Sequence, residues 1–198
     1  IHTLPESARE NWIDDPINAK LLALRLKPAP PCNDREFLRR VSLDLTGRLP
    51  SLALVERLVS GSSPIHRAEF IDDLLGSDEF TDYWTHRLAT QLRLQKPGTD
   101  RLAANAFYSW LHKQVAADAG WDSIANSLVL SQGVSRESGA ASVHRYFATA
   151  REEAEYMSEV LMGVRLRCAN CHNHPLDRWT QDDYHGLAAV FVGLDRGQ

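Results

Sequence analysis

Apolar residues recur every three or four positions along most of this chain, and such spacing is typical of amphipathic helices. No alternating run of apolar and polar residues bounded by turn residues indicates a strand. We therefore predict an all-α protein, a compact bundle of about eight or nine helices that forms one domain over residues 1–198.

Capping and helix-breaking residues place the boundaries of these helices. Asn33 and Glu36 form a capping box, and Gly47 ends the helix that they begin. Thr180 begins the last helix, with Asp183 as its capping partner. Residues 132–141 are rich in Gly and Ser and predict an exposed loop. The other predicted helices run from Ser63 to Gly76, from Ser77 or Asp78 to about Leu94, from about Thr99 to Ala119, from Asp122 to Leu130 and from about Thr149 to His172.

An apolar stripe on the helix predicted over about residues 149–172 leads into a pair of cysteines. The stripe follows a 3-4-3-4-3 spacing and therefore predicts that both cysteines lie on a buried helix face. Pro175 would prevent this helix from continuing. The members of the stripe are Ala154, Met157, Leu161, Val164, Cys168 and Cys171.

The two cysteines belong to the sequence Cys168-Ala169-Asn170-Cys171-His172, a pattern typical of c-type haem attachment. Each thiol can form a thioether with one vinyl group of the porphyrin, and His172 can ligate the iron. This motif predicts one haem c, carried by a segment over about residues 149–192. Its first functional implication is electron transfer.

Other interpretations of the motif stay open. The thiols could be a pair of buried free cysteines, or a thioredoxin-like CxxC, although no strand-helix-strand pattern accompanies them. A zinc site of Cys168, Cys171, His172 and His174 would place four ligands within seven residues, whereas structural zinc sites usually use two separated ligand pairs. Cys32 lies in a proline-rich connector, too distant in sequence to belong to the motif.

The sixth iron ligand is less well determined by the sequence. His144 and His185 rank first, and a vacant sixth position remains an alternative. His174 is too close to His172 to reach the opposite side of the ring, but it could hydrogen-bond a propionate, orient the loop or bind a second metal. Met157 and Met162 could reach the iron only if the helix broke at Gly163.

Residues beside the motif are candidates for further haem contacts. A guanidinium matches a carboxylate, so Arg167 could pair with a haem propionate, as could Arg165 or Arg178. We expect Trp179 to cover a haem edge or to pack against the last helix.

Composition narrows the classes of function. The chain has 22 basic and 26 acidic residues, and this balance favours neither a nucleic-acid surface nor a polybasic membrane anchor. No apolar run approaches the roughly 20 residues that span a bilayer, so we expect no transmembrane segment. Because the chain begins at Ile1, we expect a processed protein or part of a longer one, whose targeting signal is not visible.

Two long motifs resemble the planctomycete-type cytochrome c domain family, catalogued as a domain of unknown function (the PSCyt-two type). One comprises residues 37–50, FLRRVSLDLTGRLP, preceded by Ile13-Asp14 at the start of a helix. The other comprises residues 163–179, GVRLRCANCHNHPLDRW, followed by Asp183-Tyr184 and by residues 187–189. The resemblance implies a c-type haem domain outside the cytoplasm, commonly found within large multidomain proteins.

The motif and the resemblance together predict a single-haem c-type cytochrome domain that transfers electrons in the periplasm or outside the cell, to a redox partner that the sequence does not identify. An electron carrier is favoured over an enzyme. Two alternatives remain: a haem enzyme or ligand sensor with an open distal site, and a structural or docking module, or subunit of a larger assembly, that haem stabilises.

Overall fold

The computed structural model describes residues 11–59, 67–94, 100–134 and 137–194. Within these ranges the chain forms nine α-helices and two 3-10 helices and no strand, which confirms the predicted all-α fold. The α-helices are α1 (Asp14–Ala23), α2 (Asp34–Thr46), α3 (Leu52–Val59), α4 (Arg67–Leu75), α5 (Asp78–Gln91), α6 (Arg101–Ala116), α7 (Trp121–Val129), α8 (Ala150–Met162) and α9 (Gln181–Val190). The 3-10 helices are Ala140–Tyr146 and Leu166–Asn170, and we call the second the motif turn.

The chain divides into two compact units. The smaller comprises residues 1–40 and 50–65, and its described part contains α1 and α3. The larger comprises residues 41–49 and 66–198 and contains α4 to α9, both 3-10 helices and the CxxCH motif. The single domain predicted over residues 1–198 stays a prediction.

The core of the larger unit lies where α5 to α9 meet the 3-10 helix Ala140–Tyr146. Fully buried aromatic and aliphatic side chains fill it, as expected from the three-and-four spacing of apolar residues along these helices. Its largest members are Phe107, Leu111, Leu128, Tyr146, Phe147, Met157 and Phe191.

Local capping signals correctly placed several helix starts. The Asn33 side chain accepts a hydrogen bond from the backbone N–H of Glu36 at 3.0 Å. At the start of α5, Ser77 Oγ accepts one from the backbone of Phe80 at 3.2 Å. Thr180 begins α9 with the predicted capping box. Such bonds satisfy N–H groups that a helix cannot satisfy internally, so they fix where each helix begins.

Other boundaries differ from the sequence prediction. Helix α3 was not predicted, although the Ser51 hydroxyl accepts a hydrogen bond from Leu54 at its start. The start predicted at Ser63 lies outside the described residues. The end of the predicted loop, Ala140 and Ala141, belongs to a 3-10 helix and is buried. A run of small residues allowed this segment to pack closely.

The largest correction concerns the helix predicted over about residues 149–172. Helix α8 ends at Met162, because Gly163 adopts the left-handed conformation with φ of +69° and caps the helix. The chain then turns, and the motif begins on a separate 3-10 helix that Cys171 caps. The CxxCH segment is therefore not an extension of α8.

Within the described ranges, no helix combines the length and the apolar character needed to cross a lipid bilayer.

Candidate functional site

The motif turn presents its two cysteines to solvent. In a 3-10 helix, side chains three residues apart share a face. Leu166 and Ala169 occupy the inward face and are 1% and 0% exposed. Cys168 lies on the outward side of this helix, Cys171 is the residue that caps its end, and both cysteines are exposed. The prediction that the cysteines continue a buried stripe is wrong. The α-helix ends at Gly163, and the residues after it follow the three-residue period of a 3-10 helix instead of the 3.6-residue period of an α-helix.

A small apolar cluster holds the motif turn in place. Leu166 and Ala169 pack against the buried ring of Tyr184 from α9, and the half-buried Trp179 and Leu187 contact this cluster. The cluster anchors the backbone beneath the cysteines, so the exposed thiols have a fixed support. Trp179 packs here, and the Arg178 guanidinium lies 5.0 Å from the centroid of its indole.

Two hydrogen bonds join the motif to the first turn of α9. The backbone N–H of Gln181 donates to Asn173 Oδ1 at 3.1 Å, and the Gln181 side-chain amide donates to the carbonyl of Asn170 at 3.3 Å. Because Thr180 caps this helix, the cap and the motif are parts of one local structure.

His172 is exposed at the end of the motif, and its ring has a defined hydrogen-bonding role. Its Nδ1 lies 2.7 Å from the carbonyl oxygen of Asn173. A carbonyl can only accept, so Nδ1 must carry the proton. In the neutral ring, Nε2 then has the lone pair that a metal ion would bind. A hydrogen bond of this kind also orients metal-ligating imidazoles in proteins.

His174 has the opposite arrangement. Its Nδ1 accepts a hydrogen bond from the backbone N–H of Leu176 at 3.3 Å, so the proton of the neutral ring lies on Nε2. Its own backbone N–H donates to the carbonyl of Trp179 at 2.8 Å. These two hydrogen bonds hold His174 within the loop that follows the motif. Its role at a haem stays a prediction.

The two histidines ranked first for the sixth ligand lie in different environments. His144 is buried: its Nδ1 is hydrogen-bonded to Glu153, and its Nε2 lies 2.9 Å from Ser131 Oγ. Both of its ring nitrogens are thus engaged within the protein. His185 is exposed on α9, with its ring edge-on to Tyr184 at 5.2 Å between centroids. The assignment of a sixth ligand stays a prediction.

Tyr184 connects the motif turn with α8. Its hydroxyl donates to Glu155 Oε1 at 2.9 Å. Burial and the hydrogen bond to Glu155 raise the pKa of Tyr184 to about 12, and the negative charge of Glu155 acts in the same direction.

An open cavity of about 680 Å³ lies along α8 beside the motif turn. Its walls carry four guanidinium groups and three carboxylates. They come from the residues just after α5, from α8, and from the residues around the start of the motif turn. The lining residues are Arg93, Thr149, Arg151, Glu152, Glu155, Tyr156, Glu159, Arg165, Leu166 and Arg167. Arg167 and Arg165, suggested from the sequence as haem contacts, lie here; Arg151 was missed, because nothing in the sequence near α8 connects it with the motif.

No group of three or more His, Cys, Asp or Glu side chains that could hold a metal ion occurs among the residues that the structure describes. The four residues considered for a zinc site are thus not brought together as such a group.

Comparison with known proteins identifies the family of this chain. The family described as PSCyt2, a protein of unknown function (DUF1549), matches residues 12–196. No curated protein and no solved structure matches the chain significantly. Because the family match covers nearly the whole sequence, including the motif turn, the cavity residues and α9, the chain belongs to the PSCyt2 family of proteins of unknown function.

Proposed function

We propose that this chain is a c-type haem domain that passes single electrons outside the cytoplasm, with the haem joined to Cys168 and Cys171 and the iron bound by His172. The observation that carries the proposal is the pairing of two exposed thiols with an exposed imidazole whose Nδ1 is held by the Asn173 carbonyl. This arrangement leaves the sulfurs accessible and presents Nε2 for iron.

The residues present fit covalent haem. Thioether formation requires two reachable thiols, and both cysteines are exposed on a short turn. The turn is supported from beneath by Leu166 and Ala169, so attachment requires no opening of the core. Bound haem iron would supply one-electron redox chemistry, and the protein's part is to hold the iron through His172 and to set the charges around it.

The partner and the compartment are parts of the same proposal. An attachment site on the surface places the haem where a second redox protein can approach it. Haem is normally joined to CxxCH motifs outside the cytoplasm, so we assign the domain to the periplasm or the cell exterior.

A test of haem attachment is expression in a host that joins haem to CxxCH motifs in its periplasm. Intact mass should exceed the polypeptide mass by one haem, and the pyridine haemochrome spectrum should be of the two-thioether type. Cys168→Ala and Cys171→Ala should each give the one-thioether spectrum, and the double variant should carry no covalent haem. Cys32→Ser is the matched control and should retain the wild-type spectrum. A wild-type mass equal to that of the polypeptide alone would refute the proposal.

A second candidate is a haem protein with an open sixth position. The hydrogen bonding of His144 favours it, because iron ligation by this residue would require breaking a buried bond to Glu153 or to Ser131. Carbon monoxide separates the two candidates. A low-spin spectrum that carbon monoxide does not change supports the electron carrier, and a high-spin spectrum that shifts supports the open site.

A further inference from the structure

The cavity along α8 is lined by four guanidinium groups and three carboxylates. Two of the guanidinium groups, those of Arg165 and Arg167, come from the segment that leads into the motif. Two of the cavity's arginines are in close ion pairs: Arg93 lies 2.9 Å from Glu152, and Arg165 lies 2.9 Å from Glu159. These ion pairs satisfy two of the three carboxylates in the wall, so those carboxylates repel an incoming anion less than unpaired ones would.

Arg167 is only loosely held. Its Nε lies 4.0 Å from Glu155 Oε2, and its side chain is 87% exposed. Glu155 also accepts the hydrogen bond of the Tyr184 hydroxyl. Since a guanidinium has five N–H donors, Arg167 keeps most of its hydrogen-bonding capacity for a ligand. It immediately precedes Cys168 in the sequence.

Arg151 is the second guanidinium with capacity to spare. It is exposed in the first turn of α8, and within the described ranges no ion pair involves it. The amino-terminal end of a helix carries partial positive charge, which adds to the attraction for an anion at this position. Arg151 lines the same cavity as Arg167 and Leu166, so this guanidinium lies on the side of α8 that faces the motif turn.

We propose that Arg151 and Arg167 bind the two propionate carboxylates of the haem, with the cavity along α8 receiving that edge of the group. This inference rests on the proposed function. With the vinyl groups joined to Cys168 and Cys171, the propionates would remain available to other residues of the chain. Two carboxylates match two guanidinium groups in charge and in hydrogen-bonding geometry. Arg151 and Arg167 are therefore positioning residues.

The test compares Arg151→Gln and Arg167→Gln with Arg101→Gln, a control at an exposed position in the first turn of α6. All three variants should carry one haem by intact mass, because the cysteines make the covalent bonds. Removing a cation beside the haem favours the oxidised iron, so the reduction potentials of Arg151→Gln and Arg167→Gln should fall below that of the control.

The pH profile of the potential gives a second readout. Loss of a guanidinium partner raises the pKa of a propionate, so the pH-dependent part of the profile should move to higher pH. The propionate bands of the resonance Raman spectrum should shift in the same two variants. Arg151→Lys, which restores the charge, should recover part of the lost potential.

The outcomes separate this inference from the proposed function. If the variants carry haem while Arg151→Gln and Arg167→Gln match Arg101→Gln in potential, pH profile and Raman bands, the propionate assignment is wrong and the haem proposal stands. If the wild-type protein carries no haem, the proposed function fails first and this assignment fails with it.

Discussion

His144 Nδ1 and Glu153 Oε1 share a hydrogen bond at a position where neither side chain meets solvent, with side-chain exposures of 6% and 0%. The pair joins the 3-10 helix Ala140–Tyr146 to α8, and Ser131 holds the other nitrogen of the imidazole. A histidine considered as an iron ligand from sequence is thus part of the polar interior of the larger unit.

Removing one partner of this pair should strongly destabilise the protein. Glu153→Leu leaves the His144 ring buried without its acceptor, and breaking a buried ionic or polar pair in this way costs about 3–5 kcal/mol. Replacing both residues, as in His144→Leu/Glu153→Leu, should cost less than Glu153→Leu alone, because the imidazole is then no longer buried without its carboxylate partner. Urea denaturation measures both values.

The matched control for this prediction is Glu159→Gln on the same helix. Glu159 pairs with Arg165 at the surface, where such ion pairs contribute at most about 1 kcal/mol. A Glu153→Leu protein as stable as Glu159→Gln would show that the buried pair contributes little to the folded state.

Gly163 and Gly186 should respond oppositely to the same substitution. Gly163 has a φ of +69°, so Gly163→Ala forces a left-handed alanine at a cost of about 1–2 kcal/mol, although nothing lies within 4 Å of the new Cβ. Gly186 lies inside α9, also with open space around its Cβ position, so Gly186→Ala should stabilise the protein by roughly 0.5–1 kcal/mol. Thermal unfolding measures both. Equal signs for the two variants would contradict the left-handed cap at Gly163.

Gly163 explains why the motif could be identified from the sequence while the exposure of its cysteines could not be predicted. The apolar stripe from Ala154 to Cys171 remains in phase for an uninterrupted α-helix, and only the backbone conformation of Gly163 breaks it. After this break the chain forms a 3-10 helix, in which residues three apart share a face, so Leu166 and Ala169 are the residues that point inward. A left-handed cap depends on a conformation that several glycines could adopt, so periodicity alone could not reveal it.

Interactions between residues that are close in sequence could be predicted, whereas those between distant residues could not. The Thr180 capping box joins residues three apart, and it was predicted correctly. The contacts of His144 involve residues nine and thirteen positions away on other elements, and those of Tyr184 with Glu155 span 29 positions. Only tertiary packing creates these relationships, so the sequence offered no signal for them.

The cap of α9 predicts a stability change that is linked to the motif. Thr180→Ala removes the acceptor of the Asp183 backbone N–H, and loss of such a cap costs about 0.5–2 kcal/mol. Hydrogen bonds from Thr180 lower the pKa of Asp183, so the folded state favours the carboxylate. That contribution is present above the ordinary aspartate pKa and is lost as pH falls through the lower folded value.

Acid titration of stability checks this linkage. Wild type should lose stability as Asp183 becomes protonated, and Thr180→Ala should lose less over the same range, because its Asp183 pKa lies closer to the unfolded value. The control is Thr90→Ala, at an exposed threonine in the last turn of α5 whose hydroxyl donates to the His86 carbonyl at 2.9 Å. Parallel acid profiles for wild type and Thr180→Ala would contradict the pKa assignment.

Tyr184 predicts a stability change at alkaline pH. Its pKa of about 12 in the folded protein lies above the ordinary tyrosine value of 10.0, because burial and the hydrogen bond to Glu155 favour the neutral phenol. The folded state therefore binds the phenolic proton more tightly than the unfolded state does. The resulting stabilisation is complete below the unfolded pKa and is lost as pH rises from about 10 to about 12. Tyr184→Phe lacks this proton, so the stability difference between wild type and variant should narrow over that range.

The Tyr184→Phe comparison also tests the support of the motif turn. Phenylalanine keeps the ring that packs on Leu166 and Ala169, so the variant should fold and differ mainly by the lost hydrogen bond to Glu155, a bond to a charged group worth about 1.5–3 kcal/mol. Urea denaturation at neutral and at alkaline pH measures the two stabilities, and tyrosinate absorbance follows the titration directly. Two results together would mean that Glu155 does not hold the Tyr184 proton in solution: a stability difference that stays constant from pH 9 to pH 12, and a Tyr184 phenol that ionises near the ordinary tyrosine pKa of 10.0.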